Sequence, residues 1–154
     1  MKAVIFDYSL KPSAIQEDKQ NFDISNLNKD TLKAIANGRM FVFFEPQRAY
    51  MVLETGLIDY LTQFKGVIKQ IDSGNFETFS VSCDWYSNSL EHYYDANKDT
   101  LKIREGNGNL FTITTKYKVF KKSFEKFFRK TVADLYIYYP ELANNPTAKE
   151  MLTL

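Results

Sequence analysis

Asp95, Asn97 and Asp99 alternate along the chain in the way that the first three oxygen ligands of a calcium-binding loop do. Such a loop needs a glycine at its sixth position and a glutamate at its twelfth, and this chain has Thr100 and Gly106 there. Strand-like segments flank the loop, and Asp and Asn are common turn residues. The spacing therefore favours a polar hairpin turn over a metal site.

Cys83 and His92 are the only cysteine and histidine, and the strand pattern puts them on adjacent strands. A cysteine and a histidine can form a nucleophile and its base, but this needs an activated, accessible thiolate. Cys83 alternates with the apolar residues Phe79, Val81 and Trp85, so we expect its thiol to be buried and inert. One cysteine and one histidine also exclude an internal disulfide, a four-cysteine zinc site and a two-histidine metal centre.

Acidic side chains are frequent enough to pair for acid–base chemistry, but their spacing singles out no pair. The candidates are Glu45, Glu54, Asp59, Asp84 and Glu91. The Gly-Asn-Gly-Asn segment at 106–109 does not open a helix, so it predicts a hairpin turn rather than a phosphate-binding loop. The sequence predicts no catalytic residue, no metal and no cofactor, and hence no enzyme.

Composition predicts a single domain over residues 1–154, because 154 residues with 44% apolar and 25% charged side chains match ordinary globular usage. A formal net charge of +1 predicts no strong overall attraction to nucleic acid or to an anionic membrane. The apolar run at 3–6 is too short for a signal peptide, and no run approaches the ~18 residues of a membrane helix. With a single cysteine, these features predict a cytoplasmic protein.

The N-terminal third predicts a strand at 3–8, a loop at 11–20 and a short helix at 28–37 that Gly38 ends. A continuous apolar run at 40–44 predicts a strand covered on both faces, paired in a hairpin with a strand at 49–53.

Two segments have apolar residues at helical spacing, 56–73 and 117–139. Thr55 can cap the first and Gly74 can end it, whereas Pro140 ends the second. Gly66 lies opposite the apolar stripe, either as a plain surface position or to admit another backbone. We expect residues 141–154 to form a loosely packed tail with at most one helical turn.

Between the helices, alternating residues predict four short strands with short connections. They lie at 78–86, 90–94, 100–104 and 110–115. Connections this short make neighbouring strands antiparallel. The predicted fold is therefore α+β: an antiparallel sheet with a four-stranded meander, packed against two main amphipathic helices.

Polar residues of these strands share one side of the sheet in the predicted register. The set comprises Ser80, Ser82, Asp84, Tyr86, Glu91, Tyr93, Lys102, Arg104, Thr112 and Thr114. Tyrosines among charges suit a recognition surface, so we take as candidate partner-binding residues Asp84, Tyr86, Glu91, Tyr93, Lys102 and Arg104. A plain solvated face has the same pattern, and the strand at 90–94 leaves open whether Leu90, His92 and Tyr94 or Glu91 and Tyr93 point inward.

The last helix holds a local excess of positive charge, with seven basic residues against Glu125 in the segment 116–130. Most of them face away from the aromatic stripe, and the candidates for a basic face are Lys118, Lys122, Lys126, Arg129 and Lys130. This face could bind phosphates or an acidic partner. Equally, it could be a solvated face whose lysine stems cover apolar edges.

An amphipathic helix, a meander and a closing helix with phenylalanines follow one another over about residues 55–139. The residues that mark this order are Asp72-Ser73-Gly74, Trp85, Tyr93-Tyr94-Asp95, Leu101-Lys102-Ile103, Phe120, Phe124 and Phe128. In architecture the chain resembles the small immunity proteins of bacterial contact-dependent and polymorphic toxin systems. The resemblance implies a cytoplasmic protein that binds a cognate toxin domain and blocks its active site. Inhibitors of basic nucleases tend to be acidic, so this near-neutral chain leaves the toxin type open.

Two hypotheses follow from the sequence. The first is a non-enzymatic protein-binding module of the immunity type, acting by occlusion of its partner's site. The second is a nucleic-acid-binding accessory protein that uses the basic helix. Neither involves a membrane.

Overall fold

The structure, a computed structural model, describes residues 3–45, 49–82, 89–106 and 111–154. These residues form an α+β fold with two antiparallel sheets. The strands are β1 (Ala3–Leu10), β2 (Asn37–Glu45), β3 (Ala49–Gly56), β4 (Phe79–Ser82), β5 (Ser89–Asp95), β6 (Thr100–Glu105) and β7 (Thr112–Lys116). The helices are α1 (Pro12–Asn21), α2 (Lys29–Leu32), α3 (Leu57–Asp72), α4 (Tyr117–Tyr138) and α5 (Pro146–Met151).

The first sheet has the order β1-β2-β3, which confirms the predicted N-terminal strand and hairpin. Its inward face buries Met40, Val42 and Phe44. Phe41 and Phe43 point to the other side and are only half-buried, so the prediction that the 40–44 strand is covered on both faces is wrong. A run of apolar residues still alternates between two faces in a strand, and the outward rings here stay partly exposed.

The second sheet has the order β4-β5-β6-β7, and every neighbouring pair is antiparallel. The predicted four-stranded meander is therefore confirmed over the described strands. Residues 83–86 of the first predicted strand and the turn at 107–110 lie outside the described residues.

Helices α3 and α4 correspond closely to the two predicted amphipathic helices. Gly56, rather than Thr55, is the residue at the N-cap of α3. A side chain at Gly56 would overlap the carbonyl oxygen of Lys33, so the close approach of these two backbones requires glycine. Gly66 has no neighbouring atom within 4 Å of the place where a Cβ would lie, which makes it a plain surface position.

The N-terminal connection differs from the prediction. Residues 11–20 were expected to form a loop, but Pro12 begins helix α1, where its missing N–H and fixed φ are tolerated. The next helix is shorter than predicted, since α2 covers only Lys29–Leu32. Ala36 has a positive φ of 56°, and Asn37 already pairs with β3. The pairing of β2 with β3 therefore prevents the helix from continuing to residue 37.

The prediction of a loosely packed tail at 141–154 is wrong. A 3-10 turn at Pro140–Asn144 and helix α5 bury Leu142, Ala148, Met151 and Leu152. The Asn145 amide donates to the carbonyls of Ile24 at 2.9 Å and Leu27 at 3.0 Å. From α3, the Lys65 ammonium donates to the carbonyls of Glu150 at 3.1 Å and Met151 at 3.3 Å. These polar contacts with distant segments hold the tail in place.

Asp18 and Tyr139 form a second buried polar link between the two ends of the chain. The Tyr139 hydroxyl donates to Asp18 Oδ2 at 2.7 Å, and the Ala36 N–H donates to the same oxygen at 3.0 Å. Both side chains are buried, so loss of either donor would leave the carboxylate short of a hydrogen bond.

We therefore expect Tyr139→Phe to lower the free energy of unfolding by about 1–3 kcal/mol, since it removes one donor from a buried carboxylate. Urea unfolding followed by circular dichroism measures the change. Tyr138→Phe, at the exposed neighbouring position, is the matched control and should change stability by less than about 0.5 kcal/mol. Equal stabilities of the two variants would show that the Asp18–Tyr139 hydrogen bond does not hold the tail.

Candidate partner-binding face

The outward face of the second sheet carries the predicted polar residues. The register aligns Ser80, Glu91, Arg104 and Thr112 in one row across the four strands. The next row aligns Tyr93, Lys102 and Thr114. Leu90 and His92 point inward and are buried, which settles the orientation that the sequence left open for β5. We call the outward side chains of these strands the polar sheet face.

Glu91 lies at the centre of this face and binds two neighbours. The Arg104 guanidinium donates to Glu91 Oε2 through Nε at 3.2 Å and also through Nη2. The Tyr93 hydroxyl donates to the same oxygen at 2.8 Å. Glu91 and Arg104 are directly opposite each other on adjacent strands, whereas Tyr93 follows Glu91 by two residues on the same side.

Two cations lie near the Tyr93 ring. The Lys102 Nζ is 4.8 Å from the ring centroid, and the Arg104 Cζ is 5.7 Å from it. Both distances lie within the range of cation–π attraction. Tyr93 is thus held at its hydroxyl by Glu91 and beside its ring by Lys102 and Arg104.

Hydrogen bonds within this cluster favour an ionised Glu91 and a protonated Tyr93 hydroxyl near neutral pH. The hydrogen bond from Arg104 lowers the pKa of Glu91, and the bond from Tyr93 acts in the same direction. The hydrogen bond to Glu91 raises the pKa of the Tyr93 hydroxyl. A general acid or base needs a pKa near the working pH. The pKa values of Glu91 and Tyr93 are both shifted away from neutrality, which does not favour either group as a general acid or base near pH 7.

Lys102 carries a charge that no described acidic side chain pairs. Its ammonium is exposed and has no carboxylate within 4.0 Å among the side chains that the structure describes. Two exposed hydroxyls on the adjacent strand β7 lie on the same face, those of Thr112 and Thr114, and Ser80 is exposed farther away on β4. A partner can therefore offer an anionic group to Lys102 and hydrogen bonds to its neighbours.

The structure brings together four of the predicted partner-binding residues, Glu91, Tyr93, Lys102 and Arg104. Asp84 and Tyr86 lie outside the described residues, as does Cys83, so their predicted orientations stay predictions. Alternation predicted that Glu91 shares a side of β5 with Tyr93 and that Lys102 shares a side of β6 with Arg104, but it left open which side of β5 faces outward. The hydrogen bonds from Tyr93 and Arg104 to Glu91 depend on side-chain rotamers, which the pattern does not specify.

Gln63 is a positioning residue that sequence reasoning missed. From α3 its side-chain amide donates to the Ser82 carbonyl at 2.7 Å, and its oxygen accepts from the Ser82 N–H at 2.9 Å. The amide thus satisfies the backbone of the edge strand β4 as a neighbouring strand would. Gln63 is one of several polar residues of α3, so the sequence offers no specific signal for this contact.

The acidic side chains of the turn between β5 and β6 accept hydrogen bonds from residues in or next to the turn. Asp95 Oδ1 accepts from the N–H groups of Asn97 at 2.9 Å and Lys98 at 3.3 Å. Asp99 has a φ of 51° and accepts the Tyr94 hydroxyl at 2.7 Å. In the described parts of the chain, no group of three or more His, Cys, Asp or Glu side chains is placed to hold a metal ion.

The predicted basic face lies on α4, where Lys118, Lys122, Lys126, Arg129 and Lys130 are all exposed. Arg129 lies 3.8 Å from Glu125, one helical turn away. None of the helices that the structure describes is both long and apolar enough to cross a membrane.

No protein-family model, curated protein or solved structure matches this chain.

His92 lies directly behind the polar sheet face, in the aromatic core. Its ring meets Phe64 and Phe120 edge-on, with centroid distances of 5.8 and 5.9 Å. Nδ1 is 3.1 Å from the Phe79 carbonyl, whereas Nε2 has no hydrogen-bond partner among the described residues. Burial lowers the pKa of His92 to about 4, so the ring is neutral at pH 7.

This burial makes stability depend on pH. Between the ordinary histidine pKa of 6.5 and the folded value of about 4, the unfolded chain binds a proton that the folded chain does not. His92 should therefore lower the free energy of unfolding by about 2 kcal/mol between pH 7 and pH 5. Urea unfolding at both pH values tests this. His92→Leu should lose about 2 kcal/mol less than the natural chain over the same interval; the same loss in both proteins would contradict the prediction.

Proposed function

We propose that this chain is a non-enzymatic protein-binding module of the immunity type, which binds a cognate toxin domain and neutralises it. The observation that carries the proposal is the Glu91–Tyr93–Arg104 cluster with Lys102 on the polar sheet face. The proposal places the protein in the cytoplasm, where it would meet a toxin that enters or is made there.

The cluster supports binding because it is ordered before a partner arrives. Immobilising a flexible side chain on association costs roughly 0.5–1.5 kcal/mol, and Tyr93 and Arg104 are already held through Glu91. Tyrosine and arginine are also among the residue types that most often dominate binding energy in protein interfaces. A preorganised pair of this kind favours tight association.

The core below the polar sheet face supports the same conclusion. Leu90, Leu101 and Ile103 are fully buried beneath the rows that hold the cluster. Their packing fixes the spacing of the strands, and with it the positions of the outward side chains. The face therefore offers a partner a surface that needs little rearrangement.

Charge indicates what the partner presents. Glu91 is already neutralised by Arg104, so the unpaired charge at the centre of the face is the Lys102 ammonium. A partner with a carboxylate opposite Lys102 would complete this ion pair, with exposed threonine hydroxyls beside it to bind polar groups.

The proposal predicts that the gene immediately upstream of the one for this chain encodes a toxin, because toxin and immunity genes are expected to be adjacent. Co-expression should protect cells from that toxin, and calorimetry should give a dissociation constant in the nanomolar range. The absence of a toxin gene there, or of protection, would overturn the proposal.

Tyr93→Ala should weaken this complex at least about 30-fold, because it removes the preorganised ring. Lys102→Glu should weaken it as well by reversing the unpaired charge. Tyr138→Ala and Lys19→Glu are matched controls of the same residue types at exposed positions on α4 and α1, and neither should change affinity more than about twofold. Binding that survives both changes on the polar sheet face would place the interface elsewhere.

A further inference from the structure

Four lysines form a continuous row along the exposed side of α4. Lys118, Lys122, Lys126 and Lys130 follow one another at intervals of four residues, and all four are exposed. At a rise of about 1.5 Å per residue, successive lysines are about 6 Å apart along the helix axis and the row spans about 18 Å. We call these four residues the lysine row.

The acidic groups near α4 are engaged with other residues. Asp72 accepts from Lys121 at 2.7 Å and from the Tyr117 hydroxyl at 2.8 Å. Asp134, one turn beyond Lys130, accepts from the Tyr8 hydroxyl at 2.5 Å. Among the described residues, no acidic group lies within 4.0 Å of any lysine in the row.

The lysine row opposes the stability of its own helix. Like charges four residues apart repel each other, and this row contains the pairs 118/122, 122/126 and 126/130. The first turn of α4 holds no acidic residue, although the positive end of the helix dipole favours one there. Packing does not require the row either, because the opposite side of α4 buries Phe120, Phe124, Phe127 and Phe128. A row of mutually repelling charges on the side of α4 away from the buried rings points to an external anion.

We infer that the lysine row binds the phosphate backbone of a nucleic acid without reading its sequence. An evenly charged polymer can neutralise all four lysines at once, which releases its counterions and favours binding. Every aromatic ring between Lys118 and Lys130 is buried, so the row has none on which bases could stack. The lysine row belongs to a different surface from the polar sheet face, and this inference does not depend on the proposed function.

The test measures anisotropy of a labelled 20-base-pair DNA duplex and a labelled 20-nucleotide RNA with the full chain at 50 mM salt. Binding should weaken with a log–log salt slope of about −3 to −4 on the duplex, as expected for four phosphate contacts. Lack of binding to both probes, or a slope near zero, would overturn the inference.

Lys118→Glu/Lys126→Glu turns all three repulsive pairs of the row into attractive ones. We expect it to reduce affinity at least tenfold while it raises the thermal midpoint by roughly 2–5 °C. A lower affinity in a more stable protein cannot result from unfolding. Lys19→Glu/Lys29→Glu changes the net charge equally at exposed positions on α1 and α2, and it should reduce affinity less than threefold.

Two outcomes would contradict the inference even if the natural chain binds the probes. Equal losses in the two double variants would show a response to net charge rather than to the row. Competition by poly-glutamate as effective as competition by unlabelled duplex, at equal charge concentration, would instead identify an acidic protein surface as the partner.

Discussion

The aromatic cluster around Phe64 and Phe120 is the contact on which the arrangement of the two sheets depends. Phe6 of the first sheet meets Phe64 at 5.7 Å and Phe120 at 5.6 Å between ring centroids, both edge-on. The same two rings meet His92 of the second sheet from α3 and α4. Edge-to-face contacts are directional, so the cluster orients its rings as well as burying apolar surface. It fixes both sheets against the same pair of helices.

The polar sheet face is a consequence of this core. Leu90 and His92 are held inward by the cluster and its neighbours, and alternation then places Glu91 and Tyr93 outward. A shift of one residue in β5 would bury a carboxylate and expose Leu90, which the core does not permit. The outward positions of Glu91 and Tyr93 are therefore specified by apolar packing on the other side of the sheet.

The features of the fold that could be predicted from the sequence are those that produce a local pattern in it. The meander and α4 were predicted because alternation and helical periodicity are local properties of the chain. The orientation of β5 was not, since His92 and the tyrosines around it suit either face. Helix α1 and the packed tail were missed because polar residues hold them: Asp18 meets Tyr139, and Asn145 meets the backbone of Ile24. Such pairs join residues that are distant in the sequence, so they produce no periodic pattern in either segment. The pairing of Glu91 with Tyr93 on one side of β5 was predictable for the same reason as the meander, whereas the outward direction of that side and its hydrogen bonds were not.

The polar sheet face and the lysine row differ in how their cations are held. This difference suits the two surfaces to different kinds of partner. On the polar sheet face, Arg104 is bound by Glu91 and Lys102 lies beside the Tyr93 ring, so the cations have defined positions. In the lysine row the ammonium groups end long stems, and no described acidic side chain lies within 4.0 Å of them. Fixed cations can select a partner by geometry, because a misplaced carboxylate gains little. Mobile cations select only by charge density, which is what a phosphate backbone offers. One small fold therefore carries both arrangements of charge: Glu91 holds Arg104 on the polar sheet face, whereas no described acidic side chain lies within 4.0 Å of the lysine row.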